Sequence, residues 1–214
     1  MSTGRPSVYP VSLIVAGRPC LVVGAGPVAR RKIEGLARAG ARVTVVAPRV
    51  EPDVERLAAE RDVVIERRPY RRGEAARYRL VITATGTPEL DAGVAADADA
   101  AGVWVNSADD SAHCTFLLPA IHRDGPVTVA VSTGGASPAL ATWLRCQIAA
   151  ALGEGLGNLA AVLADARRTI QESGRTTESI DWHSILTGPL LELVRSGRLD
   201  DARHLLDQAI ARLG

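Results

Sequence analysis

The sequence predicts an α/β protein: a doubly wound parallel sheet, then a small β-plus-helix element, then a helical C-terminal piece. Three observations carry this. Short β-branched runs alternate with helix-like stretches over the first two-thirds of the chain. From Thr115 the alternation stops, and two strand-like runs follow with no helix between them. Beyond Gly153 the chain reads as helical, with breaks at Gly157, Ser173-Gly174 and Gly188-Pro189.

Taken in order, residues 21–23 form a short apolar strand and 28–39 a helix that Gly40 ends. Residues 42–47 are β-branched and strand-like, 52–60 a short helix, 63–67 a third strand and 80–85 a fourth. Residues 89–101 form an Ala-rich helix ended by Gly102, and 103–106 the fifth strand. Residues 115–118 and 127–132 make a hairpin-like addition, with the turn signal Asp124-Gly125 in the intervening PAIHRDGP. Ser137-Pro138 opens a long helix, since Ser caps well and Pro suits a first turn.

Formal net charge is +1, so no global field favours nucleic acid or a membrane surface. Lys32 is the only lysine. Coding bias accounts for the excess of arginine; a need to grip carboxylates bidentately is the other explanation. Cys20, Cys114 and Cys146 are far apart and form no CxxC pair, so neither a disulfide framework nor a metal cluster is expected. No leader-like or membrane-length apolar run is present in the sequence, and a cytoplasmic location is expected.

The stretch CLVVGAGPVARRK ends an apolar run on Gly24-Ala25-Gly26 and then turns helical. A dinucleotide seat needs a tight turn, a close approach of backbone to pyrophosphate, and a small residue where helix meets strand. Gly24, Gly26 and Ala29 meet those demands. Pro27 has no N–H, so Val28 and its neighbours must supply the donors. The surrounding strand–helix–strand context favours a Rossmann-like cofactor domain over a glycine turn that only closes a corner. No acid stands at the end of the second strand; Pro48 and Arg49 occupy that place. Backbone there holds the adenosine ribose, or Arg49 meets a 2′-phosphate, so NAD and NADP both remain open.

A second constellation, Asn106 to Phe116, follows the fifth strand. In a doubly wound sheet, ligands bind beyond the carboxyl ends of the strands. Asp109 and Asp110 then fall near the nicotinamide end, where a carboxylate can serve as general base. An isolated Asp-Asp pair would be a solvated turn.

Its surroundings favour function. VVGAGPVARRK, VTVVAP, NSADDSAHCTFLLPA and VAVSTGGASPALATWLR together resemble the bifunctional precorrin-2 dehydrogenase/sirohydrochlorin ferrochelatase family of sirohaem synthesis, from about Tyr9 to the C-terminus. The resemblance implies a Rossmann domain over 1–112, a dimerisation element over 113–152 and a helical domain over 153–214, working as a homodimer. It implies oxidation of precorrin-2 by NAD, with Fe2+ inserted afterwards in many members. The family's key aspartate falls on Asp109. Dinucleotide contacts fall on Gly24, Gly26, Pro27, Val28, Pro48, Arg49 and Thr85; substrate contacts are expected at Asn106, Ser111, Thr133 and Gly134. Asp91 and Ser111 depart from the common pattern, which has Asn and Pro there.

The remaining candidates read as structural. His113 points out of its turn, His122, His183 and His204 are surface or helix residues, and Cys114 is a small buried side chain. Trp143 and Leu144 belong to the core or a dimer interface, which apolar area on the hairpin would extend. Two other functions fit the same residues: a dehydrogenase without chelatase activity, and a non-catalytic NAD-binding redox sensor. A sensor has no use for a carboxylate at the nicotinamide end.

Overall fold

The computed structural model describes residues 7–108, 110–172, 174 and 180–211. The chain divides into two compact units, Met1–Leu118 and Pro119–Gly214.

The first unit is a five-stranded, wholly parallel sheet in the order β3-β2-β1-β4-β5. Its strands are β1 Pro19–Val23, β2 Arg42–Val46, β3 Val64–Glu66, β4 Leu80–Thr83 and β5 Trp104–Ser107. Helices α1 Pro27–Arg38, α2 Pro52–Glu60 and α3 Pro88–Ala100 connect them. β1 sits in the middle, and its side chains alternate between two cores. Cys20 and Val22 join Ala29, Ile33 and Leu36 of α1 and Val54 and Leu57 of α2. Leu21 and Val23 join Val94, Ala95 and Ala98 of α3 on the other face. A parallel strand covered on both faces must be apolar throughout, which is why β1 reads as an uninterrupted hydrophobic run. The apolar residues of α1 recur at one-turn spacing and so share one buried stripe. At the sheet's β3 edge, the buried Glu74 is held by Arg68 at 2.6 Å, an ion pair that the sequence did not signal.

The second unit holds an antiparallel hairpin, β6 Ala120–Asp124 and β7 Val127–Val131, and helices α4 Pro138–Leu152, α5 Leu156–Glu172, α6 Trp182–Thr187, α7 Leu190–Arg195 and α8 Leu199–Ala211. Leu159, Val162, Ile170, Leu190, Val194 and Leu206 are the centre of its helical core. The amphipathic set expected near the C-terminus is the buried face of α8, where Ala202 and Leu206 lie deepest.

Two elements differ from expectation. The hairpin's first strand is residues 120–124, not 115–118. Thr115 and Phe116 instead close back on β5: both amides donate to Val105 O, and Val105 N donates to Thr115 Oγ1 at 2.7 Å. Pro119, with no N–H, separates that segment from the hairpin. The helical break also lies at 153–155 and not at Gly157, which is inside α5. Gly157 is a contact glycine: a Cβ there would sit 2.8 Å from Asp124 Oδ1, and one on Gly125 would sit 2.9 Å from Gly157 Cα. Asp124 Oδ2 accepts from Leu156 N at 2.7 Å, so the hairpin turn caps the start of α5.

No single helix among the described residues is long and apolar enough to cross a membrane. The cysteines differ in reach. Cys20 is fully buried and its thiol is pushed up to about 11 by that burial, Cys114 is half-buried, and Cys146 is exposed. Alkylation at neutral pH, followed by peptide mass spectrometry, is expected to label Cys146 first, Cys114 more slowly, and Cys20 only in denaturant.

Candidate functional site

The parallel order reverses direction between β1 and β4, and the chain segments leaving their carboxyl ends meet there. Gly24 N donates to Val46 O at 3.0 Å, Ala84 N to Val23 O at 2.9 Å, and Glu51 N to Ala25 O at 3.2 Å. The glycine loop is thereby held between the segments following β2 and β4. Gly24 has φ +109, and a Cβ there would lie 2.2 Å from Ala84 O. Only glycine allows that approach.

Gly26 caps α1 in extended conformation, and the space where a Cβ would project is open. Pro27 is at the first helical position, and Arg30 N closes the first turn on Gly26 O. The amides of Val28 and Ala29 have no protein acceptor among the described residues, and no acid lies in the first turn. Those free N–H groups and the helix dipole make an anion seat. Ala29 is fully buried against β1, the close helix–strand packing that a third small residue serves. Pro48 and Arg49 are exposed beside this loop, and Arg49 has no ion-pair partner among the described residues. These residues fit a dinucleotide: a tight turn, an open approach, and unspent amide donors.

At the end of β4 lies a feature that the sequence marked only as a departure. Asp91, on the first turn of α3, is 5% exposed. Its Oδ1 accepts from Thr83 Oγ1, from Thr85 Oγ1 at 2.8 Å and from Thr85 N at 3.2 Å. Thr85 is thus engaged in holding the β4–α3 turn. Removing the carboxylate strands the buried Thr83 hydroxyl. Asp91→Ala is expected to cost about 2–4 kcal/mol, read as a fall in unfolding midpoint in urea; Asp91→Asn, which keeps an acceptor oxygen, should lose less than half of that.

The segment after β5 is latched shut. Ala108 N donates to Thr83 O at 2.9 Å. Cys114 Sγ accepts from Ser107 N at 3.2 Å and contacts the carbonyls of Ser107 and Asp110 at 3.3 Å. Burial, partly countered by that amide, raises its thiol. Asn106 is buried and uses its amide on Phe116 O at 3.0 Å. Asp110 caps the short helical turn at Ser111–His113, accepting from Ala112 N at 2.8 Å, and pairs with His113 Nδ1 at 2.7 Å. The His113 contact, with that amide, holds the Asp110 carboxyl below its usual range. Asp109 lies outside the described residues. Gly86, Pro88, Asp91, Ala92, Ser107 and Asp110 line a cleft of about 210 Å3 beyond β4 and β5.

The structure brings Gly24, Gly26, Pro27, Val28 and Thr85 to the carboxyl ends of β1 and β4, and Asn106 and Ser111 to that of β5. Thr133 and Gly134 belong to the second unit, and their polar groups are spent locally. Thr133 Oγ1 accepts from Ser137 N at 3.0 Å, and Gly134 N donates to Ser132 Oγ at 3.2 Å. His113 is exposed on its turn and pairs with Asp110, and Cys114 is the latch. His122 lies on β6 with Nε2 buried and lacking a hydrogen bond.

An NAD(P)-binding family model matches residues 11–120. The chain belongs to that NAD(P)-binding family. A second model, sirohaem biosynthesis protein central, matches residues 124–151. This NAD(P)-binding protein is 35% identical over 207 residues to a siroheme synthase of Methylobacillus flagellatus, covering 96% of the chain and 44% of the relative. It is 38% identical to the siroheme synthase of Methylococcus capsulatus, covering 94% of the chain and 43% of the relative. The chain thus spans less than half the length of these relatives. The solved structure of SirC, precorrin-2 dehydrogenase, superposes with a TM-score of 0.74 at 25% identity, covering 95% of this chain and all of that one.

Proposed function

We propose that this NAD(P)-binding protein oxidises precorrin-2 to sirohydrochlorin with NAD+, in sirohaem synthesis, and that it does so in the cytoplasm as a homodimer. The observation that carries the reading is the match to SirC along the whole of that chain, with the glycine loop and the 106–116 loop both beyond the carboxyl ends of one sheet. NAD+ supplies the hydride acceptor when bound. The chain's own residues do the rest. Gly26 and the amides of Val28 and Ala29 hold the pyrophosphate, Pro48 and Arg49 border the ribose, and Asp109 takes the proton released as the substrate loses its hydride. The latch of Cys114 on Ser107 and the cap at Asp110 hold the described residues that flank this position. Fe2+ insertion is read as a second step on the same carboxylate, with the ion as substrate.

The homodimer rests on α4. Its sequence is almost wholly apolar, yet Ala141 is its one buried residue, with Trp143 57% and Leu140 46% exposed. A helix that is apolar all round needs cover. The larger exposed apolar groups of this unit are on α4 rather than on the hairpin, at Leu140 and Trp143.

The test is anaerobic. Precorrin-2 and NAD+ are mixed with the protein and followed at the nicotinamide band, and Fe2+ is then added. Formation of NADH supports the dehydrogenase, and sirohaem after iron supports the second step. Tight NAD+ binding with no NADH would leave the redox sensor in its place.

A further inference from the structure

The first unit has a second, larger cleft at the opposite end of its sheet. It measures about 700 Å3 and opens among the residues that begin the strands: Pro19 of β1, Arg42 of β2, Leu80 of β4 and Trp104 of β5. β1 has five residues at about 3.3 Å each, so roughly 15 Å of sheet separates this cleft from the glycine loop.

Its charge is one-sided. Arg18, Arg42, Arg77 and Arg79 line it, and no Asp or Glu does. Several arginines elsewhere pair with acids close by, as in Arg38–Glu34, Arg67–Glu55, Arg168–Asp165 and Arg198–Asp201. In the cleft, among the described residues, only Arg77 has such a partner, Glu74 at 3.7 Å. Arg18 and Arg79 have no ion pair among the described residues, and Arg42 spends its Nε on Gly17 O at 3.0 Å. The backbone beneath them is fixed. Gly17 N donates to Gly40 O at 2.8 Å, Arg42 N to Arg18 O at 3.0 Å, and Arg79 N to Pro19 O at 2.9 Å. The main chain that carries these side chains is therefore fixed, and the like charges repel until an anion joins them. The other wall is apolar and open: Ile14 is 88%, Trp104 52% and Leu13 47% exposed.

We propose that this cleft is a binding site for an amphipathic anion, one with a flat apolar body and two or more carboxylate or phosphate groups. Planar forks suit such oxyanions bidentately, and Trp104 with Leu13 gives the body a surface to lie on. The site is separate from the dinucleotide seat and does not depend on the reaction proposed above.

Isothermal titration of the whole chain with saturating NAD+ present tests it, using two probes: benzenehexacarboxylate for carboxylates and ATP for phosphates. At least one is expected to bind, and the one that binds names the anion. Arg18→Ser with Arg79→Ser should weaken that probe tenfold or more, and Trp104→Ala severalfold, with NAD+ affinity changed less than twofold. No binding by the wild type, or binding unaltered in the variants, overturns the proposal. If the double variant also loses NAD+ binding, Arg79→Gln alone decides. Its backbone bond to Pro19 is intact, and an unchanged probe affinity would overturn the site.

Discussion

Replacing Gly24 by alanine is expected to lower stability by roughly 2–4 kcal/mol and to weaken NAD+ binding more than tenfold. The added Cβ would lie 2.2 Å from Ala84 O, and φ +109 is a conformation that L-residues avoid. The backbone strain contributes about 1–2 kcal/mol and the forced separation about 1–3 kcal/mol. Differential scanning calorimetry should show the unfolding midpoint falling by about 5–15 °C. The binding loss follows from the same contact. The loop leaving β1 can relieve the overlap only by moving off β4, and that carries Gly26 and the first turn of α1 with it. Gly26→Ala separates the two effects. Its Cβ meets no protein atom, so stability should hold within about 1 kcal/mol while NAD+ affinity falls. A Gly24→Ala protein with unchanged melting would show that the loop is not held as described.

Asp109→Asn is expected to slow precorrin-2 oxidation by about 10²–10⁴-fold, the usual contribution of a positioned base, with NAD+ affinity unchanged. The neighbours on both sides are secured by Ala108 N on Thr83 O and by the Asp110 cap, so an isosteric amide at 109 leaves the loop's framework in place. Asn keeps the shape and cannot take a proton. Single-turnover NADH formation with saturating substrate is the measurement. Full activity in Asp109→Asn would remove this residue as the base, and Asp110, held ionised beside His113, would then be the group to replace.

The sheet was legible because a parallel, doubly covered strand must be a short apolar run between helices, and runs such as LVV, VTVV and LVIT are little else. The hairpin's first strand was hidden because it reads Ala-Ile-His-Arg-Asp, half polar and ending in turn residues. Thr115–Phe116 looked like a strand because its side chains suit one, yet its amides serve Val105. The dinucleotide seat was visible in Gly24, Gly26 and Ala29, since backbone demands write themselves as small residues. Asp91 was not, because burial and the three donors around it come from elements brought together only by folding. The arginines at the amino ends of the strands are scattered through 18–79, and coding bias explained their number. Their shared cleft and missing acids become apparent only in three dimensions.

The close approach of Gly125 and Gly157, with Asp124 capping α5, bears on how this chain can be taken apart. A gene fragment ending at residue 152 would seem a tidy way to isolate the hairpin and α4. It would strip the hairpin turn of the helix it was shaped against and leave Asp124 without its amide. The hairpin and the helices after it are one heritable cassette. Recombination, truncation or fusion that respects the physics would cut near 118–119, where the two compact units part, and carry everything beyond it together.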